Sequence, residues 1–219
     1  MAENKTKTPP KGNIRFSLGL SDEQKSAKAE ILKHPFNFII GKAGSGKTLL
    51  ACQIALDMFF KRKVNKIVIT RPTVSTEDNG FLPGSLEEKL EPWLVPIRSN
   101  MRKVYNKPDI LNKMEREENI ELVPLTHFRG RTFDDAVIIV DEFQNLTKQQ
   151  LSMVLSRVGK GSIMMLCGDK QQIDLKYKND SAIHEVPKLK GCRWVYDIVL
   201  MDNHRHEALD EVLKLLNDY

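Results

Sequence analysis

A run of eight residues near the start of the chain combines three glycines with a closing lysine and threonine. It fits the pattern G-x-x-x-x-G-K-[ST] and reads, in order, Gly41, Lys42, Ala43, Gly44, Ser45, Gly46, Lys47 and Thr48. Between a strand and a helix, such glycines let backbone N–H groups surround phosphate oxygens. We then expect Lys47 to contact the β- and γ-phosphates of ATP, and the Thr48 hydroxyl to bind Mg²⁺. The alternative is a glycine-rich turn with an accidental lysine.

Two adjacent carboxylates, Asp141 and Glu142, follow the β-branched residues 137–140. The carboxyl ends of parallel strands meet at one edge of an α/β sheet, so Asp141 is expected beside the phosphate loop, where it would hold Mg²⁺. Glu142 is the candidate general base that orients the water attacking the γ-phosphate. The alternative is an acidic helix cap after a buried strand.

A second apolar run, residues 162–167, opens into a polar loop that contains Gln171 and Gln172. A glutamine at such a strand end can hydrogen-bond the γ-phosphate or the attacking water, and it loses that bond after hydrolysis. Gln172 is the preferred candidate for this sensor and Gln171 the second choice. A polar surface loop is the alternative.

The elements that must position these groups follow from the apolar patterning. Short β-branched runs alternate with amphipathic stretches, which is typical of a parallel sheet covered by helices. We predict strands at residues 36–40, 66–70, 120–125, 137–140, 162–167 and 194–201, and helices at 47–60, 148–157 and 206–216. Residues 1–13 are predicted to be a flexible tail, and residues 14–219 a single domain. Residues 73–119 would be an irregular helical insertion in which Ser85 caps a helix.

The order of these motifs resembles that of the PhoH-like proteins, a family of predicted ATPases related to superfamily 1 helicases. The matching segments are Gln24, the glycine-rich run, Thr70-Arg71-Pro72, residues 80–84, residues 129–132, residues 141–145, and Gly168-Asp169 with Gln172-Ile173-Asp174. The resemblance implies a RecA-like P-loop NTPase domain, a mostly parallel sheet sandwiched by helices. It also marks Phe143 as unusual, because the family usually has a small residue there. The bulkier ring is expected to alter packing beside the γ-phosphate.

The resemblance also implies roles for three residues. Gln24 would recognise adenine through its amide. Arg71 lies in a segment that resembles the family's first nucleic-acid-contacting motif. Arg205 corresponds to a late arginine that is a candidate arginine finger or γ-phosphate contact, the alternative being a solvated arginine before the last helix.

One further loop has the residue types that bind single strands. Phe128, Arg129 and Arg131 combine an aromatic ring with two cations, which can stack bases and neutralise phosphates. The alternative is a structural loop whose arginines pair with Asp134 or Asp135. His204 and His206 flank Arg205 and are expected to be surface histidines rather than metal ligands.

Composition narrows the class of protein only weakly. Lys and Arg total 34 against 29 Asp and Glu, and the sequence pI is about 9.0, which is compatible with a polyanionic partner. Three widely spaced cysteines indicate neither a disulfide framework nor a zinc site, which fits a reducing cytoplasm. The chain has no apolar run of transmembrane length, and residues 1–11 lack the apolar stretch of a secretory signal.

Together these features predict Mg²⁺-dependent ATP hydrolysis coupled to binding or remodelling of single-stranded RNA or DNA. A single P-loop domain leaves the γ-phosphate open on one side. We therefore predict a head-to-tail homo-oligomer, a hexameric ring, in which Arg205 completes the neighbouring site. The alternatives are a nucleotide-gated interaction module that does not touch nucleic acid and, less favoured, a P-loop kinase.

Overall fold

The computed structural model describes residues 14–72 and 86–204, with the side chains of the second range given from residue 95, and the helical positions 208, 212 and 215. The predicted tail, Ser85, the turn at 80–84, Arg205 and His206 lie outside these residues. The strands are β1 (Phe36–Gly41), β2 (Lys66–Thr70), β3 (Ile120–Leu122), β4 (Ala136–Asp141), β5 (Ile163–Gly168) and β6 (Val195–Leu200). The α-helices are α1 (Asp22–Ile31), α2 (Lys47–Phe60), α3 (Leu86–Val104), α4 (Pro108–Arg116) and α5 (Lys148–Leu155).

All six strands belong to one parallel sheet in the order β3-β2-β4-β5-β1-β6. The strand that ends in Asp141 is therefore separated from the strand that leads into the phosphate loop by β5. Phe38 lies opposite Leu166 of β5, and Asp141 lies opposite Cys167 of the same strand. Because the strands are parallel, the polar residues that follow β1, β4 and β5 reach the same edge of the sheet.

Alternation of side chains along the strands divides the core into two layers. On one face, buried strand residues such as Ile39, Ile139 and Met165 pack with α1, α2 and α3. On the other face, Phe38, Ile138 and their neighbours pack with α5 and the 3-10 helix Ala182–Leu189. The predicted α/β sandwich is confirmed.

The segment expected to be irregular contains two helices. α3 packs on α2 through the buried residues Ile97, Met101 and Val104, and the Tyr105 ring lies 5.4 Å from that of Phe60. A helix was predicted in this insertion, and α3 begins at Leu86, the position after the predicted cap. Their apolar residues at helical spacing provide the burial that holds them on the domain.

Helix α1 was not predicted from the sequence. The Ser21 hydroxyl accepts a hydrogen bond from the Gln24 backbone N–H, and the Gln24 side chain accepts one from the Ser21 N–H. This reciprocal capping box starts the helix. The motif S-x-x-Q was visible in the sequence and would have predicted it.

In the described part of the chain, Cys52 and Cys167 are buried thiols, Cys192 is exposed, and none forms a disulfide. Among the same residues, no helix combines the length and apolar character needed to cross a bilayer. The cytoplasmic location stays a prediction.

Candidate nucleotide-binding site

The phosphate loop connects the end of β1 to the first turn of α2. Gly44 and Gly46 adopt positive φ angles of 92° and 79°, a left-handed conformation that a glycine adopts without steric cost. Gly46 is also the N-cap of α2 and supplies no side-chain cap. The N–H groups of the first turn are therefore left for another acceptor, which is the usual property of an anion site at a helix N-terminus.

Two side chains of the loop fit a bound phosphate group. The Lys47 ammonium donates to the backbone carbonyls of Gly41 and Lys42, at 2.7 and 2.9 Å. Among the described residues, the buried Ser45 hydroxyl has no hydrogen-bond partner. Within the part of the chain that the structure describes, the Lys47 ammonium bonds to these two carbonyls, and it can exchange them for phosphate oxygens.

Thr48 and Asp141 form the candidate magnesium site. The Thr48 hydroxyl donates to the Asp141 carboxylate at 2.8 Å, so α2 bridges across β5 to the end of β4. Burial and the neighbouring Glu142 raise the pKa of Asp141 to about 6, against the lowering effects of Thr48, Arg71 and Lys47. A carboxylate and a hydroxyl are the hard oxygen ligands that Mg²⁺ uses, with substrate phosphates and water completing its shell.

Glu142 is held beside Asp141 in a conformation that is rare for a residue with a side chain. Its φ and ψ angles are 54° and 40°, in the left-handed region, and such strain is found most often at functional sites. The Gln144 amide donates to the Glu142 carboxylate at 2.6 Å. Backbone strain and this hydrogen bond together fix the direction of the candidate base.

Gln144 is a residue of the site that sequence reasoning missed. Its side chain is fully buried, and besides Glu142 it donates to the Gln172 carbonyl at 2.9 Å and accepts from the Asp169 N–H at 3.2 Å. It thus joins the loop after β4 to the loop after β5. Its signals in the sequence were its place in the family-like segment 141–145 and its position two residues after the candidate base.

The predicted nucleic-acid contact Arg71 lies in the nucleotide site instead. Its guanidinium nitrogens are 3.7 Å from the Asp141 carboxylate and 3.5 Å from that of Glu142, and only 22% of its side chain is exposed. These contacts place a positive charge beside the carboxylates of Asp141 and Glu142. They do not present Arg71 to a strand on the surface.

The loop predicted to stack and neutralise a strand is mostly committed to the protein. Phe128 is fully buried, with its ring 5.1 Å from that of Phe133, so its assignment as a base stacker was wrong. Arg131 forms two hydrogen bonds with Glu121, at 2.6 and 2.9 Å, rather than with either aspartate considered from the sequence. Arg129 is exposed.

The expectation for Phe143 is also corrected. Its ring is fully buried, lies 5.6 Å from that of Phe38, and packs on Gly168, where an added Cβ would come within 2.6 Å of it. The bulky residue therefore fills the core on the α5 side of the sheet. It is not among the described residues that line the cleft beside the phosphate loop.

A cleft of about 350 Å³ connects these groups. The residues that line it include Ala43, Gly44, Gly46, Lys47, Thr48, Glu142, Asp169 and the candidate sensor Gln172. Asn100 and Lys103 of α3 and His204 also line it, and none of these three was expected there. The insertion helix therefore forms a wall of the cleft, which its apolar pattern alone could not indicate.

His204 and Gln24 meet at the phosphate loop. The His204 backbone N–H donates to the Gly44 carbonyl at 3.1 Å, and its ring nitrogen lies 3.3 Å from the Gln24 amide nitrogen. A Cβ at Gly46 would come within 2.6 Å of that amide. His204 is exposed but packs against the loop, which corrects its description as a plain surface histidine.

Comparison with known proteins agrees with this geometry. The family described as PhoH-like protein matches residues 18–217. The chain belongs to this family. A PhoH-like protein of Bacillus subtilis is 43% identical over 195 residues, covering 87% of this chain and 61% of its own length. One of Synechocystis is 44% identical over 146 residues, covering 66% of this chain and 44% of its own.

The chain spans about half the length of the curated relatives it matches. Among solved structures, the Pif1 helicase of Candida albicans is similar with a TM-score of 0.45 and 18% identity, over 92% of this chain and 44% of that one. Family membership and the phosphate loop together identify a P-loop NTPase.

Proposed function

We propose that this PhoH-like chain hydrolyses ATP with Mg²⁺ and couples hydrolysis to binding of single-stranded RNA or DNA. The observation that carries the first part is the Thr48–Asp141 hydrogen bond, because it joins the phosphate loop to the acidic strand end at one cleft. Lys47 and Glu142 line the same cleft. A cation, the hydroxyl of the proposed metal-binding pair and a candidate base therefore face one volume, with Asp141 bonded to that hydroxyl from behind it.

In the proposed reaction the Lys47 ammonium exchanges its two carbonyl partners for the β- and γ-phosphate oxygens of ATP. Thr48 and Asp141 would hold Mg²⁺, which would supply neutralisation of the charge on the phosphoryl group. Glu142 orients and deprotonates the attacking water, while Gln144 keeps its carboxylate in place. Gln172, on the rim of the cleft, contacts the γ-phosphate or the water.

Nucleic acid as the coupled partner is supported by the resemblance to superfamily 1 helicases and by the formal charge of +5. The test measures ATP turnover of the full chain with Mg²⁺, alone and with single-stranded RNA or DNA. We expect turnover that rises with a strand. Turnover that no strand changes, without strand binding at low salt, would favour the nucleotide-gated interaction module.

The base is tested by Glu142→Gln, which removes the proton acceptor and keeps the shape of the side chain. This variant should bind ATP as the parent does and lose turnover by about 10²-fold or more. Parent-like turnover would remove Glu142 from the mechanism. Transfer of the phosphate to an added acceptor rather than to water would point to a kinase.

We further propose a head-to-tail ring, hexameric, in which Arg205 of one subunit serves the site of the next. An arginine supplied in trans raises turnover by roughly 10³–10⁵ in well-studied NTPases. Mixing Lys47→Ala with Arg205→Ala subunits should restore part of the activity, because some junctions then pair an intact loop with an intact arginine. A protein that stays monomeric by light scattering during full ATP turnover would contradict the ring.

A further inference from the structure

A second cavity of about 790 Å³ lies beside the insertion helices, outside the nucleotide cleft. One wall is a face of α3, because Val95, Arg98 and Arg102 are spaced three or four positions apart along the helix, and Asn106 follows just after its end. Asn112 and Glu115 of α4 form the facing wall, and Ser17 closes one end. This cavity is called the α3–α4 groove below.

Backbone hydrogen bonds fix the end of the groove. The Ser17 N–H donates to the Val104 carbonyl at 2.8 Å, and the Asn106 N–H donates to the Ser17 hydroxyl at 3.2 Å. Across the groove, the Arg98 guanidinium contacts the Glu115 carboxylate at 3.1 Å. The walls are therefore tied together before any ligand arrives.

The groove is basic, whereas the nucleotide cleft is not. Among the residues whose side chains the structure describes, its lining carries three cations, Arg98, Arg102 and Lys103, and the carboxylate of Glu115. The cleft lining balances Lys47 and Lys103 against Glu142 and Asp169. The remaining groove residues are mostly hydroxyl and amide side chains, and no aromatic ring is among its described lining. Cations with small polar donors are the groups that contact phosphate and sugar without reading bases.

Lys103 lines both cavities. A ligand in the groove and a nucleotide in the cleft would therefore meet at one ammonium group. Arg102, the next residue, is exposed and lines only the groove. A substitution of Lys103 should therefore affect both cavities, whereas a substitution of Arg102 should affect the groove alone.

We infer that the α3–α4 groove binds the phosphate backbone of a single strand of nucleic acid, with Lys103 as the contact between strand and nucleotide sites. The inference rests on the proposed function and gives its nucleic-acid partner a location. It replaces the loop at residues 128–131, whose aromatic ring is buried and whose Arg131 pairs with Glu121.

The test is binding of a fluorescently labelled oligothymidylate to the full chain, followed by anisotropy over a range of salt concentrations. Each phosphate contact contributes about 0.7 to the slope of log affinity against log salt for a single strand. Arg102→Ala should flatten the slope by about that amount, and Arg102→Lys should keep the parent slope because it keeps the charge. Lys103→Ala should flatten the slope and also raise the KM for ATP.

Two variants make the test specific to the groove. Arg116→Ala removes the same charge from an exposed position of α4 that does not line the groove, and it should leave the slope unchanged. Glu115→Gln removes the negative charge that Glu115 places in the groove lining, so it should tighten strand binding. If the Arg98–Glu115 pair has only a structural role, Glu115→Gln should instead weaken strand binding and lower the free energy of unfolding.

The outcomes distinguish this inference from the function on which it rests. If the parent binds strands and the Arg102→Ala and Arg116→Ala variants have equal salt slopes, the groove is not the strand site. The proposed function would then be unaffected. A parent that binds no strand at low salt would overturn the proposed coupling itself. Weaker binding by Glu115→Gln would also count against the groove.

Discussion

Two regions were expected to bind phosphates. In the structure, the predicted groups of one region lie together at a cleft, whereas part of the other region is buried in the core. At the edge of the sheet, Lys47, Thr48, Asp141 and Glu142 come from distant parts of the chain and meet at one cleft. In the loop at residues 128–131, Phe128 is buried in the core. The first group is placed by strand ends and a helix start, whereas the second was chosen only for its residue types.

The difference shows what kind of sequence signal carries positional information. A glycine-rich turn between a strand and a helix fixes where its lysine points, because the backbone geometry belongs to the motif. An aromatic residue beside two arginines has no such constraint. Burying an aromatic ring is energetically more favourable than exposing it to water, and Arg131 pairs with the nearby carboxylate of Glu121.

Phe128→Ala tests the second region with the largest expected effect. Removing a fully buried ring should lower the free energy of unfolding by about 3–5 kcal/mol, measured by urea denaturation. Arg129→Ala, at the exposed neighbour, should change it by less than about 0.5 kcal/mol. Unchanged stability together with lost strand binding would restore Phe128 as a base stacker and break the comparison.

Lys47→Ala tests the first region. It removes the cation that faces the phosphates, so ATP turnover should fall by at least about 10²-fold and nucleotide binding should weaken. Steady-state turnover and titration with a fluorescent ATP analogue measure the two effects. Lys160→Ala, an exposed lysine outside the cleft, is the matched control. Equal activity of the two variants would place the nucleotide elsewhere.

Asp141→Asn should stabilise the nucleotide-free protein. The folded-state pKa of Asp141 is raised from 3.8 to about 6, so the folded chain holds this proton more tightly than the unfolded chain does. The stability gained from that proton is present at low pH and is lost as the pH rises through about 6. The variant does not lose this stability, so above that pH its free energy of unfolding should exceed that of the parent by about 3 kcal/mol.

Urea unfolding at about pH 4 and about pH 7 measures the difference. The same variant should lose the extra stability that Mg²⁺ and ATP give the parent, because one metal ligand has lost its charge. If the variant is no more stable than the parent near neutral pH, ionisation of the buried Asp141 carboxylate does not lower the free energy of unfolding. The site would then lack the strain that the structure indicates.

Gln144→Ala should have the smallest effect of the four. Loss of the amide frees the Glu142 carboxylate, so kcat should fall by about tenfold while the KM for ATP changes little. Lys170→Ala, at an exposed position of the loop after β5 that does not line the cleft, is the control for a general effect on that loop. Reduced nucleotide binding with unchanged kcat would assign Gln144 a structural role only.

Much of the site could be predicted from the sequence because its motifs coincide with element ends. The predicted start and end of α2 are those observed, and the strand before the phosphate loop begins at Phe36 as expected. The position of β5 between β1 and β4 could not be predicted from the sequence, because strand order depends on pairing between residues that are distant in the chain. The places of Gln144, His204 and Lys103 could not be read either, because each reaches the site by tertiary packing.

The most direct measurement is a structure of the full chain with Mg²⁺ and a non-hydrolysable ATP analogue. The account predicts that the Lys47 ammonium leaves the carbonyls of Gly41 and Lys42 for the β- and γ-phosphates, and that Thr48 and Asp141 both face the ion. It also predicts the terminal phosphate beside Glu142. A nucleotide bound away from this cleft, or Lys47 still bonded to the loop carbonyls beside bound phosphates, would contradict the account.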